Sequence, residues 1–144
     1  MLLTITQYCS KLYNKPVIKS LVAAIAAFIV YGGWAAYANY EFGTQYALRA
    51  LFGQGGFAFS ATLLLTLLAE YLYIAFGKNK QALAKAFSIC VMISATLPAT
   101  IHWLIGTPNI LLSITPGFIF GSVYLFLYLR LLHRNTLALN KSLT

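Results

Sequence analysis

Apolar positions in this chain come in four long runs broken by short polar stretches, a rhythm that predicts helices crossing a bilayer rather than the elements of a soluble core. The run from Gly53 to Phe76 is the clearest, with Glu70 as its only charge. A helix rises about 1.5 Å per residue and the hydrocarbon layer is roughly 30 Å thick, so about 20 residues suffice to cross. Polar positions in this run are ordered. Thr62, Thr66 and Glu70 recur every fourth residue and share a helix face that Tyr73 continues, while Leu, Ala and Phe cover the rest. The pattern predicts one face turned to protein and the others to lipid.

Three further spans follow from the same reading, giving an all-α, four-transmembrane-helix bundle in a single domain over 1–144, with spans at about 20–38, 53–76, 84–105 and 108–132. Residues 1–16 predict a short amphipathic helix lying on the membrane surface. Leu2, Ile5, Cys9 and Leu12 form its apolar side, and Lys11, Lys15 and Lys19 lie four apart on another. Ala36-Tyr37-Ala38 resembles a signal-peptidase site, but the apolar stretch before it exceeds a signal's usual length, so the first span is expected to be retained. Pro98 predicts a kink in the third span, with Ser94, Thr96 and Thr100 as donors for the freed carbonyls. For the fourth span the sequence allows two starts. Either a helix begins at Pro108 and bends at Pro116, or the span begins at Pro116 after an interfacial stretch.

Composition sharpens this reading. The chain of 144 residues is 60% hydrophobic and 8% charged, whereas soluble domains carry about a quarter charged residues. Its net charge of +8 does not point to nucleic acid, because the cations are scattered over three short segments without an aromatic platform between them. An anionic lipid surface at the cytoplasmic face of the bilayer is the better partner. Lys11, Lys15, Lys19, Lys78, Lys80, Lys85, Arg130, Arg134 and Lys141 all fall on one side of the four spans, and Arg49 alone on the other. The positive-inside rule then predicts that both termini face the cytoplasm, in a multi-pass protein of a bacterial inner membrane.

Candidate sites fall into three groups. Glu70, with Thr62, Thr66 and Tyr73, forms the intramembrane polar face, and an acid at that depth must pair, hydrogen-bond or take up a proton. Glu41, Arg49, His102, Trp103 and Asn109 gather at the outer rim, as an aromatic belt or as a polar mouth. Gly32, Ala36, Gly56, Ser60, Gly117 and Gly121 supply small-xxx-small spacing for close helix packing, with bulkier side chains on the inner half that either fill it or leave a crevice.

Catalysis is not expected. The chain has no Asp, Glu41 and Glu70 lie on opposite sides, and so do His102 and His133, which leaves neither an acid pair nor a metal or haem set. Cys9 and Cys90 are isolated, and no cofactor is predicted. Small multidrug transporters share the size, but their essential acid lies in the first span and here it lies in the second; no motif supports membership. Two functions remain. One is a non-catalytic accessory or assembly subunit that binds a membrane-protein partner or another copy of itself. The other is a small transporter or lipid-translocating protein that uses Glu70 and the Thr62/Thr66 face as its polar route.

Overall fold

A computed structural model of the chain describes residues 16–142, with side chains described over 21–138. The expected surface helix over 1–16 lies outside these residues. Every described element is helical: α1 (Pro16–Ala38), a 3-10 turn (Tyr40–Phe42), α2 (Thr44–Ala75), α3 (Lys80–Leu104) and α4 (Ile110–Ser142). All four α-helices are long and apolar enough to cross a membrane. They run alternately up and down, so the 39–43 and 105–109 connections share one end, here the double-loop end. The α2–α3 turn stands at the other, the single-loop end.

One boundary differs from the sequence reading, and one choice it left open is resolved. Helix α2 begins at Thr44, ahead of the span expected over 53–76, because Gly43, at φ +110°, ends the 3-10 turn and nothing after it breaks the helix. Gln45 and Tyr46, polar enough to resemble a loop, form its first turn. Helix α4 starts at Ile110 and continues through Pro116 without a second start. Pro116 has no N–H to give the carbonyl of Leu112, four residues back. The indole of Trp34 on α1 supplies the donor, with Nε1 donating to the Leu112 carbonyl at 2.8 Å. At Pro98 the hydroxyls act differently from expectation. Ser94, Thr96 and Thr100 donate to the carbonyls of Cys90, Met92 and Thr96, none of which is the carbonyl that Pro98 frees.

Helices α2 and α3 end in the same turn. Gly77 (φ +98°) and Gly106 (φ +68°) occupy the left-handed position. Lys78 N–H then reaches back to the Tyr73 carbonyl at 3.1 Å, and Thr107 N–H to that of His102 at 2.9 Å, which is the Schellman pattern. After the first turn Asn79 caps α3, its side chain accepting from Ala82 N–H at 2.8 Å. Beside the second, Asn39 at the end of α1 clamps α1 to α4. It donates to the Ala35 carbonyl and the Ser113 hydroxyl, at 2.8 and 2.7 Å, and accepts from Asn109 N–H at 2.9 Å.

Helices α1 and α2 make the closest approach. A Cβ on Gly32 would stand 2.8 Å from the Leu51 carbonyl and 3.1 Å from the Gly55 Cα, and one on Gly55 would meet Phe28 at 3.0 Å. At the single-loop end, Ala69, Tyr73, Ala82, Ala86, Cys90, Leu125 and Leu129 form a buried apolar cluster joining α2, α3 and α4, with Leu68, Leu72, Phe87 and Leu132 packed around it. Bulky side chains fill this half.

Candidate functional site

Between the α1–α2 contact and the single-loop cluster the helices leave a cavity of about 330 Å³. Its walls are Ala23, Ala27 and Tyr31 of α1; Gln54, Ala58, Ala61, Thr62 and Thr66 of α2; Ser94 of α3; and Gly117, Gly121 and Tyr124 of α4, with Phe57, Leu65, Phe120 and Leu125 between them. The volume lies in the range of small-molecule sites. It exists because six wall positions carry Ala or Gly on α1, α2 and α4. Gly121 is decisive, since a Cβ there would meet nothing within 4 Å.

One helix stripe runs the length of this cavity. Gln54, Ala58, Thr62, Thr66 and Glu70 stand four residues apart on α2, so from Gln54 to Thr66 the wall extends about 18 Å. Thr62 returns its hydroxyl hydrogen to the Ala58 carbonyl at 2.7 Å, keeping an oxygen lone pair on this face. Glu70 lies one turn beyond Thr66, partly buried, and accepts from the Tyr128 hydroxyl at 2.9 Å. Tyr128 stacks on Tyr124, which lines the cavity, at a centroid distance of 6.2 Å. Glu70 and Tyr128 do not themselves line the cavity; the Tyr124 ring stands between Tyr128 and its wall. Tyr73 does not join it. Its side chain is buried at the single-loop end, where the hydroxyl donates to the Lys78 carbonyl at 2.9 Å and meets His133 Nδ1 at 2.8 Å. The phenol has one hydrogen, so His133 Nδ1 carries the proton of that second bond. His133 Nε2 is buried without a partner among the described residues.

At the opposite end of the cavity Gln54 and His102, both fully buried, face each other across α2 and α3. His102 Nε2 lies 3.2 Å from Gln54 Oε1, and His102 Nδ1 lies 3.0 Å from the Thr107 hydroxyl. A carboxamide oxygen can only accept, which places the ring proton on Nε2 and leaves Nδ1 to accept from Thr107. The Gln54 amide nitrogen is turned the other way. It approaches Gly117, where a Cβ would stand 2.8 Å from it.

The five rim residues separate. Glu41 and Trp103 are exposed. Arg49 is also exposed, and its Nη1 donates at 3.4 Å to the Ile105 carbonyl at the end of α3, where a cation suits the helix dipole. Asn109 joins the Asn39 clamp, and His102 is buried away from all of them. No shared polar mouth forms among these residues. The small residues divide as well. Gly32 makes the close contact, Gly117 makes room for Gln54, and Gly56 and Gly121 face open space. Ala36 is half-buried on α1, and Ser60 is exposed on α2, donating to the Gly56 carbonyl at 3.0 Å.

Sequence reasoning missed Gln54, Asn39, Thr107, Ser113 and Tyr128. For Gln54 the signal was present: the stripe of every fourth residue traced upward from Glu70 reaches it two steps beyond Thr62. Among the described residues no cluster of His, Cys, Asp or Glu could hold a metal ion. Comparison with protein families, curated proteins and solved structures finds no match to this chain.

Proposed function

We propose that this is a small non-catalytic protein of a bacterial cytoplasmic membrane, a four-span bundle that binds an amphiphile between its helices and carries it across the bilayer. The carrying observation is the cavity, whose Ala and Gly walls leave space where ordinary packing would have placed larger side chains. An apolar chain fits the Ala, Leu and Phe surface, and the polar end of the ligand follows the Thr62–Thr66 face toward Glu70 and Tyr128. The excess of Lys and Arg around the single-loop end supports an orientation with both termini in the cytoplasm and the double-loop end outside.

The test begins with what the protein holds. Native mass spectrometry of the protein in mild detergent is expected to show one amphiphile per chain, lost in Gly121→Leu. Thermal unfolding of that variant should stay unchanged or rise, because the new side chain enters empty space. Glu70→Gln should keep the ligand yet stop its exchange between leaflets, followed with a fluorescent glycerolipid in proteoliposomes. A more stable Gly121→Leu that retains its lipid would reduce the cavity to a packing gap.

A second reading, an accessory subunit docked on a partner's transmembrane helix, has its own observation. Gly56, Phe59 and Ser60 of α2 line a shallow apolar hollow with Ile25 and Phe28 of α1, and a Cβ on Gly56 would meet nothing within 4 Å. Ser60→Leu would then release a co-purifying membrane protein and leave lipid retention untouched.

A further inference from the structure

The cavity has two polar ends, and the account of carriage uses only one. At the other, the Gln54 side chain is 1% exposed and is held by its oxygen alone. With Gln54 Oε1 accepting from His102 Nε2, His102 Nδ1 accepts from the Thr107 hydroxyl, and the nitrogen end of the carboxamide takes no part in that chain. Its NH2 group is thereby aimed at Gly117 and the cavity wall, and no partner for it is seen among the described residues. Gln54 lines the cavity with no acceptor for its N–H donors, so a ligand that brings an acceptor makes a hydrogen bond there that an alkane cannot make. Lys and Arg are absent from the wall around it, so a bare anion would enter without compensation.

Resting on the reading of the cavity as a ligand site, we infer that Gln54 forms a hydrogen-bond-donor subsite for an uncharged acceptor on the amphiphile: an ester, amide, ether or hydroxyl oxygen beside its alkyl chain. His102 and Thr107 are positioning residues that fix which end of the carboxamide faces the ligand. Gly117 is the clearance that lets the amide reach its place.

The test uses two photoactivatable probes of equal chain length in dodecyl maltoside micelles, a diazirine-bearing fatty methyl ester and the matching diazirine alkane. Crosslinks to Ala58, Ala61, Thr62 and their neighbours are mapped by mass spectrometry. The wild-type chain should label with the ester on the order of tenfold better than with the alkane. In Gln54→Leu and in His102→Leu the ratio should fall to about one. Gly117→Ala gives the same answer if Gln54→Leu does not fold, because its methyl takes the space of the amide nitrogen. Wild-type labelling by both probes at equal efficiency overturns the subsite and leaves the cavity reading intact. Absence of labelling by either probe, or labelling that persists in Gly121→Leu, overturns the cavity reading and the subsite with it. A preference that survives both Gln54→Leu and Gly117→Ala assigns the donor elsewhere and also overturns the proposal.

Discussion

Behind the α2–α3 turn at the single-loop end stand Ala69, Ala82, Ala86, Cys90, Leu125 and Leu129, a dry apolar cluster with one phenol, Tyr73, reaching out of it to the turn. The same Schellman turn at the double-loop end has Asn39, Gln54, His102, Thr107 and Ser113 behind it, all buried and held in two hydrogen-bonded groups, Asn39 with Ser113 and Gln54 with His102 and Thr107. In each case the residue whose carbonyl accepts the turn's hydrogen bond also ties its side chain to the residue after the glycine: Tyr73 to Lys78, His102 to Thr107. One backbone device therefore serves two kinds of interior. The difference is directional. An apolar cluster fixes distance between helices but tolerates rotation, whereas a chain of donors and acceptors fixes which atom points where. The cavity lies between the two, with its oriented amide at the polar end.

The strongest way to break this comparison is at the α1–α2 contact beside the polar end. Gly32→Leu places a side chain where the Leu51 carbonyl stands 2.8 Å from the Cβ, so helix separation rather than rotamer change must absorb it. A loss of about 3 kcal/mol or more is expected, read as a large drop in melting temperature and a broadened gel-filtration peak in detergent. Gly56→Leu, on α2 next to Gly55 but with open space at its Cβ, should unfold like wild type. Equal damage from both would mean that glycine content, not backbone approach, governs this region.

A smaller effect separates the two turns. His102→Leu strands Thr107 and Gln54 in a buried setting and should cost about 1–2 kcal/mol. Tyr73→Phe keeps the ring in its apolar cluster and loses only the bonds to the Lys78 carbonyl and His133, so about 1 kcal/mol or less is expected. Chemical denaturation in mixed micelles orders the two. A larger loss for Tyr73→Phe would show that the single-loop end also depends on its polar tie.

The four spans were legible because continuous apolar runs of 18 or more residues have few other uses, and the lone Glu70 marked its own stripe. The start of α2 was not, because Gln45 and Tyr46 satisfy the local signature of a loop, while a helix can project beyond the hydrocarbon layer. Small-xxx-small spacing says that a close approach is allowed, not which glycine of a pair takes it. Gly55 meets Phe28 while its neighbour Gly56 faces open space. The polar network joins residues 48 to 74 positions apart, Gln54 with His102 and Asn39 with Ser113, and no local pattern encodes such pairs.

The smallest predicted effect tests the least legible contact of all, between residues 78 apart. Trp34 reads as one more interfacial aromatic, and Pro116 as a bend or a second helix start. Together they make one hydrogen bond, because the proline removes the donor for the Leu112 carbonyl and the indole N–H replaces it at 2.8 Å. Trp34→Phe keeps an aromatic ring at this position and deletes the donor, for an expected cost of about 0.6 kcal/mol, the typical worth of a hydrogen bond between membrane helices. Pro116→Ala restores the intrahelical donor, so in that background Trp34→Phe should cost nothing measurable. A double-mutant cycle on melting free energies reads the difference directly. If the cost of Trp34→Phe is the same with Pro116 and with Ala at that position, the indole acts through its ring alone, and the continuity of α4 through Pro116 needs another donor.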